Sequence, residues 1–476
     1  MGPDQAMKPT RPGAPTRGGS SPMRKNFACL LVAVASVLAS MTRLDAQARE
    51  PARESRSVAV QDVTSSHEPG VVEQGTDPAP DNQPRRSLSI NSGYFKKYYT
   101  NPQIADVGIE AMQGYSFYSQ KLEGLLPPNN MVRVAVRSAT LFGNWHLSLA
   151  FEVAYHELGH ATRVGAYGYN YKFGGSLTDA TVEENGFFQH YGRLLRSGGL
   201  LVKGPASVHT YDAKFEPAER KNLAGTELAR YLAKEDLVIV AAGVNNQMAF
   251  AERVADEAYE GDGHWTFALA YLRGRLWPIA YGKDAPRYDM DRVFRSYRQL
   301  GIAASRSQAN TASLLALLAS ASTYRYSRGL YYYLRHGRHS PIGAYELHNF
   351  RVPDTSVYLT SRGISYKVKT GYRFKDGLRL DAGLEYVAHG DHSAELMLGL
   401  AKNVESLRRA KLRGNVVLGS GMGAEITASL PLNNASSVGM GLGRYSSKTL
   451  YGERNVPSLE HGPSSTMGWV KMSLNY

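Results

Sequence analysis

The chain has 476 residues, 43% of them hydrophobic and 20% charged, which is a globular composition with enough length for more than one domain. Lys and Arg number 55 against 42 Asp and Glu, so the formal net charge is +13. No run of basic residues interleaved with aromatic residues stands out, so the charge predicts contact with anionic lipid and argues against a nucleic-acid-binding protein.

The N-terminal part has the pattern of a secretion signal. Residues 23–25 are a methionine followed by two basic residues, residues 27–39 are apolar, and residues 46–48 (Ala-Gln-Ala) match the small-x-small cleavage pattern. The apolar stretch has 13 residues, which is too short for a membrane-spanning helix. We therefore predict an exported protein with a signal peptide over residues 1–48 and Met23 as an alternative start. A retained membrane anchor is the alternative.

The only cysteine, Cys29, lies within that apolar stretch. A mature chain that begins after residue 48 contains no cysteine, which excludes disulfides, thiolate metal ligands and a cysteine nucleophile. Any metal ion must therefore be bound by His, Asp or Glu side chains.

Composition separates the next two regions. Residues 49–88 are rich in Pro, Ser, Glu, Gln, Asp and Arg and contain almost no large apolar residues, so we predict a disordered linker. Residues 89–350 have a mainly helical pattern, and we assign them to one helical domain. Its apolar-rich segments lie near residues 136–166, 229–260, 264–281, 287–300 and 308–336.

Residues 351–476 change to strict alternation of apolar and polar side chains. From Ile364 to Val368, for example, apolar side chains at every second position alternate with Ser365 and Lys367. Eight such segments of roughly ten residues predict eight antiparallel strands, each apolar on one face and charged on the other. Strands of this length and pattern are typical of a small outer-membrane β-barrel. The alternative is a soluble antiparallel sheet whose apolar face packs on the helical domain.

The motif with the clearest chemistry is H-E-x-x-H at residues 156–160, within an apolar helical segment. Residues four apart lie on one helix face, so His156 and His160 can direct their imidazoles at one ion. Zinc brings the pKa of a bound water to about 7, and the carboxylate of Glu157 can take a proton from that water and return it to a leaving amine. The motif therefore predicts Zn²⁺ with Glu157 as general base. A polar helix face with two solvated histidines is the alternative.

The motif and its surroundings resemble the site-2 protease family of zinc peptidases. Residues 156–161 (His-Glu-Leu-Gly-His-Ala), followed by Phe-Gly-Gly at residues 173–175, resemble its first motif and hairpin. Residues 241–246 (Ala-Ala-Gly-Val-Asn-Asn) are similar to its glycine and asparagine segment, and residues 276–284 are similar to the stretch that carries its third zinc ligand. The resemblance implies Asp284 as the third ligand.

A second resemblance offers a rival third ligand. Residues 252–256 (Glu-Arg-Val-Ala-Asp) have the E-x-x-A-D spacing of the gluzincin peptidases. That resemblance implies that Glu252 binds zinc from a second helix and that Asp256 orients a ligand histidine by accepting its other ring N–H. Three further carboxylates remain possible ligands, although they carry no recognisable pattern: Asp289, Asp291 and Glu184.

Together these features predict an α+β multidomain protein with a helical zinc-metallopeptidase-like domain and an antiparallel β-domain. We expect a zinc-dependent peptidase of the bacterial cell envelope, with a protein or peptide substrate and outer-membrane lipid as its partners and the zinc domain in the periplasm. Two alternatives stay open. One is a non-catalytic outer-membrane protein with structural or no metal, and the other is a zinc hydrolase of envelope lipid or glycan amides or esters. The oligomeric state is not predicted.

Overall fold

A computed structural model describes residues 87–92, 101–126, 130–174, 186–196, 207–213, 220–280, 289–337, 339, 341–375, 377–404, 410–433, 436–446, 448–455 and 464–475. These residues all belong to one compact unit, Pro78–Tyr476. The predicted signal peptide lies outside the described residues, as does the predicted linker apart from residues 87–88. Both remain predictions.

The helical pattern of the first part of the chain is confirmed. The helices there are α1 (Asn101–Gly124), α2 (Asn130–Ala166), α3 (Phe187–Arg196), α4 (Gly225–Glu260), α5 (Ala268–Ala280), α6 (Asp289–Gln299), α7 (Arg306–Ala319) and α8 (Ala321–His336). The predicted segment 308–336 is divided at Ser320, which is not helical. A capping box between Ser305 and Gln308 satisfies backbone N–H groups at the start of α7.

The alternating pattern of the second part forms eight long antiparallel strands, as predicted. They are β5 (Phe350–Thr360), β6 (Gly363–Arg373), β7 (Arg379–Gly390), β8 (Ala394–Val404), β9 (Ala410–Gly419), β10 (Gly423–Asn433), β11 (Ser436–Ser446) and β12 (Ser464–Asn475), with a short helix α9 (Leu450–Asn455) before the last. Two shorter strands, β1 (Ser87–Ser92) and β4 (Glu346–Leu347), extend the sheet. A separate hairpin of β2 (Tyr169–Gly174) and β3 (Ser207–Ala213) follows α2.

The α+β class is therefore confirmed, but the predicted closure of the sheet into a barrel is not. Neighbouring strands pair in the order β1-β12-β11-β10-β9-β8-β7-β6-β5-β4, and within the described residues the first and last strands do not pair with each other. The physical reason lies at β5, where the side chain of Asn245 on helix α4 binds both the N–H and the carbonyl oxygen of Leu359, so these backbone groups are not available to a closing strand. The alternation of side chains fixes the faces of a sheet and leaves its closure undetermined.

Helix α4 is the element that joins the helical part to the sheet. One of its sides packs on α2, and the carbonyl oxygen of Ala242 comes so close to Gly159 that a Cβ at that glycine would lie only 2.4 Å from it. Only glycine allows this approach of the two backbones. The other side of α4 faces the charged side of the sheet, where Glu252 contacts Lys367. The helix therefore has two buried faces with different chemistry.

Among the helices in the described part of the chain, none combines the length and the apolar character that crossing a membrane requires.

Candidate metal centre

Helix α2 places the two motif histidines one turn apart on a buried face. The Nε2 atoms of His156 and His160 are 3.0 Å apart. The two residues are almost fully enclosed, with 5% and 9% of their surface exposed. The spacing of four residues thus produces the convergence of imidazoles that the motif predicts.

A carboxylate from a distant part of the chain completes the group. Oδ2 of Asp289, the first residue of α6, lies 2.9 Å from Nε2 of His156 and 3.3 Å from Nε2 of His160. These three residues form a group that could hold a metal ion. A tetrahedral ion with bonds of about 2.0–2.1 Å separates its ligand atoms by about 3.3 Å, so the three atoms are already close to that spacing.

The Nδ1 atoms of both imidazoles form hydrogen bonds with helix α4. The Nδ1 of His160 lies 2.7 Å from the carbonyl oxygen of Ile239, and the Nδ1 of His156 lies 3.0 Å from Oε1 of Gln247. Both partners are oxygen acceptors, so each Nδ1 must carry the hydrogen and donate it. This leaves the Nε2 lone pairs directed at the common point, which is the tautomer that a metal-binding histidine needs.

A glycine allows helix α4 to approach the two rings closely. A Cβ added at Gly243 would lie 2.5 Å from the Nε2 atoms of both His156 and His160. Both distances are far below van der Waals contact, so any larger residue at this position would displace the two imidazoles from their present arrangement. The residues present fit a bound cation.

Without an ion, the group behaves as a buried ion pair. Burial lowers the pKa of His160, but the charge of Asp289 outweighs burial and, with a smaller effect of Glu157, raises the pKa to about 9. Burial also acts to raise the pKa of Asp289, but the histidines outweigh it and hold that pKa well below its usual range. A cation would therefore take the place of a proton, so metal binding would release one.

Glu157 lies close to this group. Its side chain is buried, and its negative charge is among the causes that raise the pKa of His160. A buried carboxylate beside two imidazoles and a second carboxylate is suited to accept and donate a proton. The H-E-x-x-H motif thus supplies both the ring nitrogens and a neighbouring acid-base group.

The structure does not place the rival ligand Glu252 in this group. Its carboxylate receives a hydrogen bond from Tyr358 at 2.6 Å and contacts Lys367 at 2.5 Å. Glu252 follows Gly243 by nine residues, and at about 100° per residue this spacing puts the two on opposite faces of α4. The gluzincin-like spacing therefore occurs on the wrong side of the helix for the histidines.

Asp256 does not orient a ligand histidine either. Its carboxylate pairs with Lys369 at 2.6 Å and with Arg351 at 3.3 Å. It follows Glu252 by one turn, so it lies on the same sheet-facing side of α4. The other predicted third ligand, Asp284, lies outside the described residues, and its role stays a prediction.

Sequence reasoning missed Gln247, and it kept Asp289 only as a possible ligand without a recognisable pattern. Asp289 lies 133 positions after His156, and Gln247 lies 91 positions after it. The only available signal for Asp289 was its position close to Asp284 in a stretch similar to the third-ligand region of the site-2 proteases. For Gln247, the signal was its place directly after the similar glycine and asparagine segment.

Comparison of the chain with protein-family models, with curated proteins and with solved structures gave no match.

Proposed function

We propose that the protein is a zinc-dependent peptidase whose metal is held by His156, His160 and Asp289. The observation that carries the proposal is the convergence of three ligand atoms, 2.9–3.3 Å apart, on one buried point beside Glu157. Structural ion pairs need only two partners, whereas three donors from two helices and an open position are typical of catalytic zinc sites.

The chain's own residues supply the acid-base part of the reaction. When bound, zinc would supply a positive charge that polarises the scissile carbonyl and lowers the pKa of the attacking water. Glu157 takes the proton from that water as its oxygen bonds to the carbonyl carbon, and passes it to the amine nitrogen as the C–N bond breaks. Gln247 and Ile239 keep the rings of His156 and His160 in the required orientation.

The donor set favours zinc among the metals of the cell. Two imidazole nitrogens and one carboxylate oxygen are the ligands of many zinc hydrolases. The same donor types bind iron(II) in oxygenases, so the metal has to be measured directly. Zinc is proposed because Glu157 provides the proton transfer that hydrolysis needs.

A second candidate function follows from the charges of the metal-free group. The raised pKa of His160 and the lowered pKa of Asp289 make a stable ion pair without any metal. In that case the group would stabilise the crossing of α2, α4 and α6, and the protein would have no hydrolytic activity.

Export to the cell envelope is part of the proposal. It is supported by the signal-like pattern over residues 1–48 and by the absence of cysteine after residue 29. A zinc domain in the periplasm, with a protein or peptide substrate, is the corresponding location and substrate class.

The decisive experiment measures metal content and proteolysis on the same preparations. The purified mature chain, its Asp289→Asn and Asp284→Asn variants, and a Gly243→Ala variant are dialysed against zinc and assayed with a fluorogenic casein. Asp291→Asn is the matched control, because Asp291 lies on the same helix and pairs with Arg306 outside the site.

About one zinc per chain is expected in the wild type and in Asp291→Asn, as in catalytic sites with three protein ligands. Asp289→Asn and Gly243→Ala should lose both zinc and casein cleavage. Loss in Asp284→Asn instead would assign the third ligand to Asp284. A folded wild-type chain that binds no zinc would overturn the peptidase proposal and favour the ion pair.

A further inference from the structure

One face of the large sheet is apolar from β5 to β12, and strand register shows that it is continuous. Val368 pairs with Leu384, Leu384 with Leu396, and Leu396 with Leu418, so one row of apolar side chains crosses four strands. Val357 belongs to the same face, because it pairs with Tyr366, two residues before Val368. We call this the outer face, and the opposite side, where Lys367 and Lys369 contact carboxylates of α4, the inner face.

Helices cover the outer face at one end of the sheet. Val357 and Leu359 of β5 and Ile364 of β6 are buried in an apolar cluster with residues of α4, α6 and α7. At this end the sheet follows the ordinary rule that an apolar face is removed from water. The packing also shows that these side chains are suited to an apolar contact.

The rest of the outer face is exposed in the described part of the chain. Leu384, Leu396, Leu398, Leu418, Ile426 and Leu442 expose between 39% and 62% of their surface. They lie on five neighbouring strands, from β7 to β11. Strands are about 4.8 Å apart, so the exposed part is about 20 Å wide. A contiguous apolar surface of this size marks an interaction site in many proteins.

The inner face of the same strands is charged and buried, which reverses the polarity of an ordinary soluble sheet. Glu385 and Glu395 are almost completely enclosed, and Arg379 and Asp381 are buried beside Glu260 of α4. Polar side chains inside and leucines outside are the arrangement of a sheet in contact with lipid. A soluble protein that buried its apolar face against a second layer would show the opposite.

Strand length indicates which apolar partner fits. Strands β7 to β11 have 10 to 12 residues. At about 3.3 Å per residue and a tilt of about 45°, they cover about 25 Å, the height of the apolar band on sheets embedded in outer membranes. A partner protein would not require apolar side chains along this whole length, because a typical interface has a polar rim.

We propose that the outer face of β7–β11 lies against the acyl chains of a lipid bilayer. The sheet thereby fixes α4, and with it the helical part, to a membrane. This inference is independent of the metal centre, since it rests on side chains that contact neither His156 nor His160.

The test uses the near-absence of cysteine. In a Cys29→Ser background, single cysteines at Leu398→Cys and Leu442→Cys are spin-labelled, and the full chain is reconstituted into vesicles of equal parts phosphatidylethanolamine and phosphatidylglycerol. Glu227→Cys, on an exposed position of α4, is the matched water-facing control. Collisions of each label with oxygen and with a water-soluble nickel chelate are compared.

Labels at positions 398 and 442 should lose their collisions with the chelate in vesicles and keep those with oxygen, whereas the label at 227 should remain accessible to both. A second pair of variants tests the same proposal by flotation of the protein with vesicles. The double variant Leu398→Lys, Leu442→Lys should no longer float with the vesicles, and the control variant Leu398→Met should still float. Circular dichroism in detergent checks that both fold.

Two outcomes would overturn the proposal. One is full chelate access at 398 and 442 in vesicles. The other is spin–spin broadening with a doubled mass in the absence of lipid, which would show that a second copy of the chain covers the face. Zinc content is measured on the same samples, so a negative result here is separable from a failure of the peptidase proposal.

Discussion

The two buried faces of α4 both lie against charged groups, yet they differ in how those charges are arranged. Towards the sheet, Glu252, Asp256 and Glu260 repeat every four residues, and each is in contact with basic side chains of the strands. Towards α2, the imidazoles of His156 and His160 meet a single carboxylate at one point. Burial and charge are common to both faces. Convergence on a point distinguishes the candidate site.

The shifts in pKa express the same difference. Burial acts to raise the pKa of Glu252, but Lys367 and Lys369 outweigh it and hold the pKa at about 2. We call Glu252, Asp256 and Glu260 the carboxylate ladder. Each of them is already paired with a basic side chain of the sheet, so their charges are balanced without a metal ion. In the histidine group, Asp289 lies against the two imidazoles, and a proton on them is a positive charge that a cation can replace.

The largest expected effect is on catalysis. Glu157→Gln should lower the rate of casein hydrolysis by about 10²–10⁴-fold, because an amide cannot accept the proton of the attacking water. Zinc content should be unchanged, since His156, His160 and Asp289 remain. The measurement is turnover per bound zinc. The opposite-face variant Glu252→Gln serves as the comparison, and it should retain turnover per bound zinc in the fraction that folds.

Hydrolysis by Glu157→Gln at the wild-type rate would contradict the assignment of the general base. Zinc loss in that variant, in contrast, would show that Glu157 is a ligand.

The next largest effect concerns stability. Lys367→Met should lower the free energy of unfolding by about 3–5 kcal/mol, because it leaves Glu252 buried without its nearest cation. The double variant Glu252→Gln, Lys367→Met should recover much of this loss, since it removes both charges. Urea unfolding followed by circular dichroism measures both. Additive losses in the double variant would show that the two side chains do not act as a pair.

These comparisons show which parts of the molecule could be predicted from the sequence. The histidine pair was predictable because both members lie within one helical turn, where spacing alone fixes their relative position. The strands were predictable because alternation is local: Lys367 and Lys369 were correctly assigned to the face opposite Val368. In both cases the pattern and the geometry extend over the same few residues.

The features that could not be predicted from the sequence depend on contacts between distant segments of the chain. Whether Glu252 or Asp289 meets His156 depends on which side of α4 packs against α2, and nothing within residues 252–256 reports that packing. Sheet closure is undetermined by alternation for the same reason. Gly159 and Gly243 contained part of the missing information, because each marks a side of a helix where another group approaches closely.

A smaller effect is expected from the residue that supports one ligand. Gln247→Leu should weaken zinc binding by about 10–100-fold, because the Nδ1–H of His156 loses its acceptor and the ring its orientation. Gln247→Glu keeps an acceptor oxygen and should restore affinity. Competition with a chromogenic zinc chelator measures both. Equal affinities for the wild type and the Leu variant would show that Gln247 does not position the ring.

The smallest effect is the change in zinc affinity for each pH unit. Its pH range differs from that of the stabilisation by Glu252, so it distinguishes the two faces of α4. Zinc must displace the proton of His160, whose pKa is about 9 in the metal-free group, so each pH unit below that value should lower zinc affinity about tenfold. Glu252 has a pKa of about 2 when folded against an ordinary value of 4.5, so its stabilisation is complete above pH 4.5 and is lost only as the pH falls towards 2.

Zinc should therefore dissociate in mild acid from a chain that is still folded. Zinc content and ellipticity, measured on the same dialysed samples from pH 8 to pH 2, would give two separate transitions, with zinc lost first. Coincident transitions would mean that the metal and the ladder stabilise one another across α4. In that case the two faces of the helix would have to be treated as one charge network.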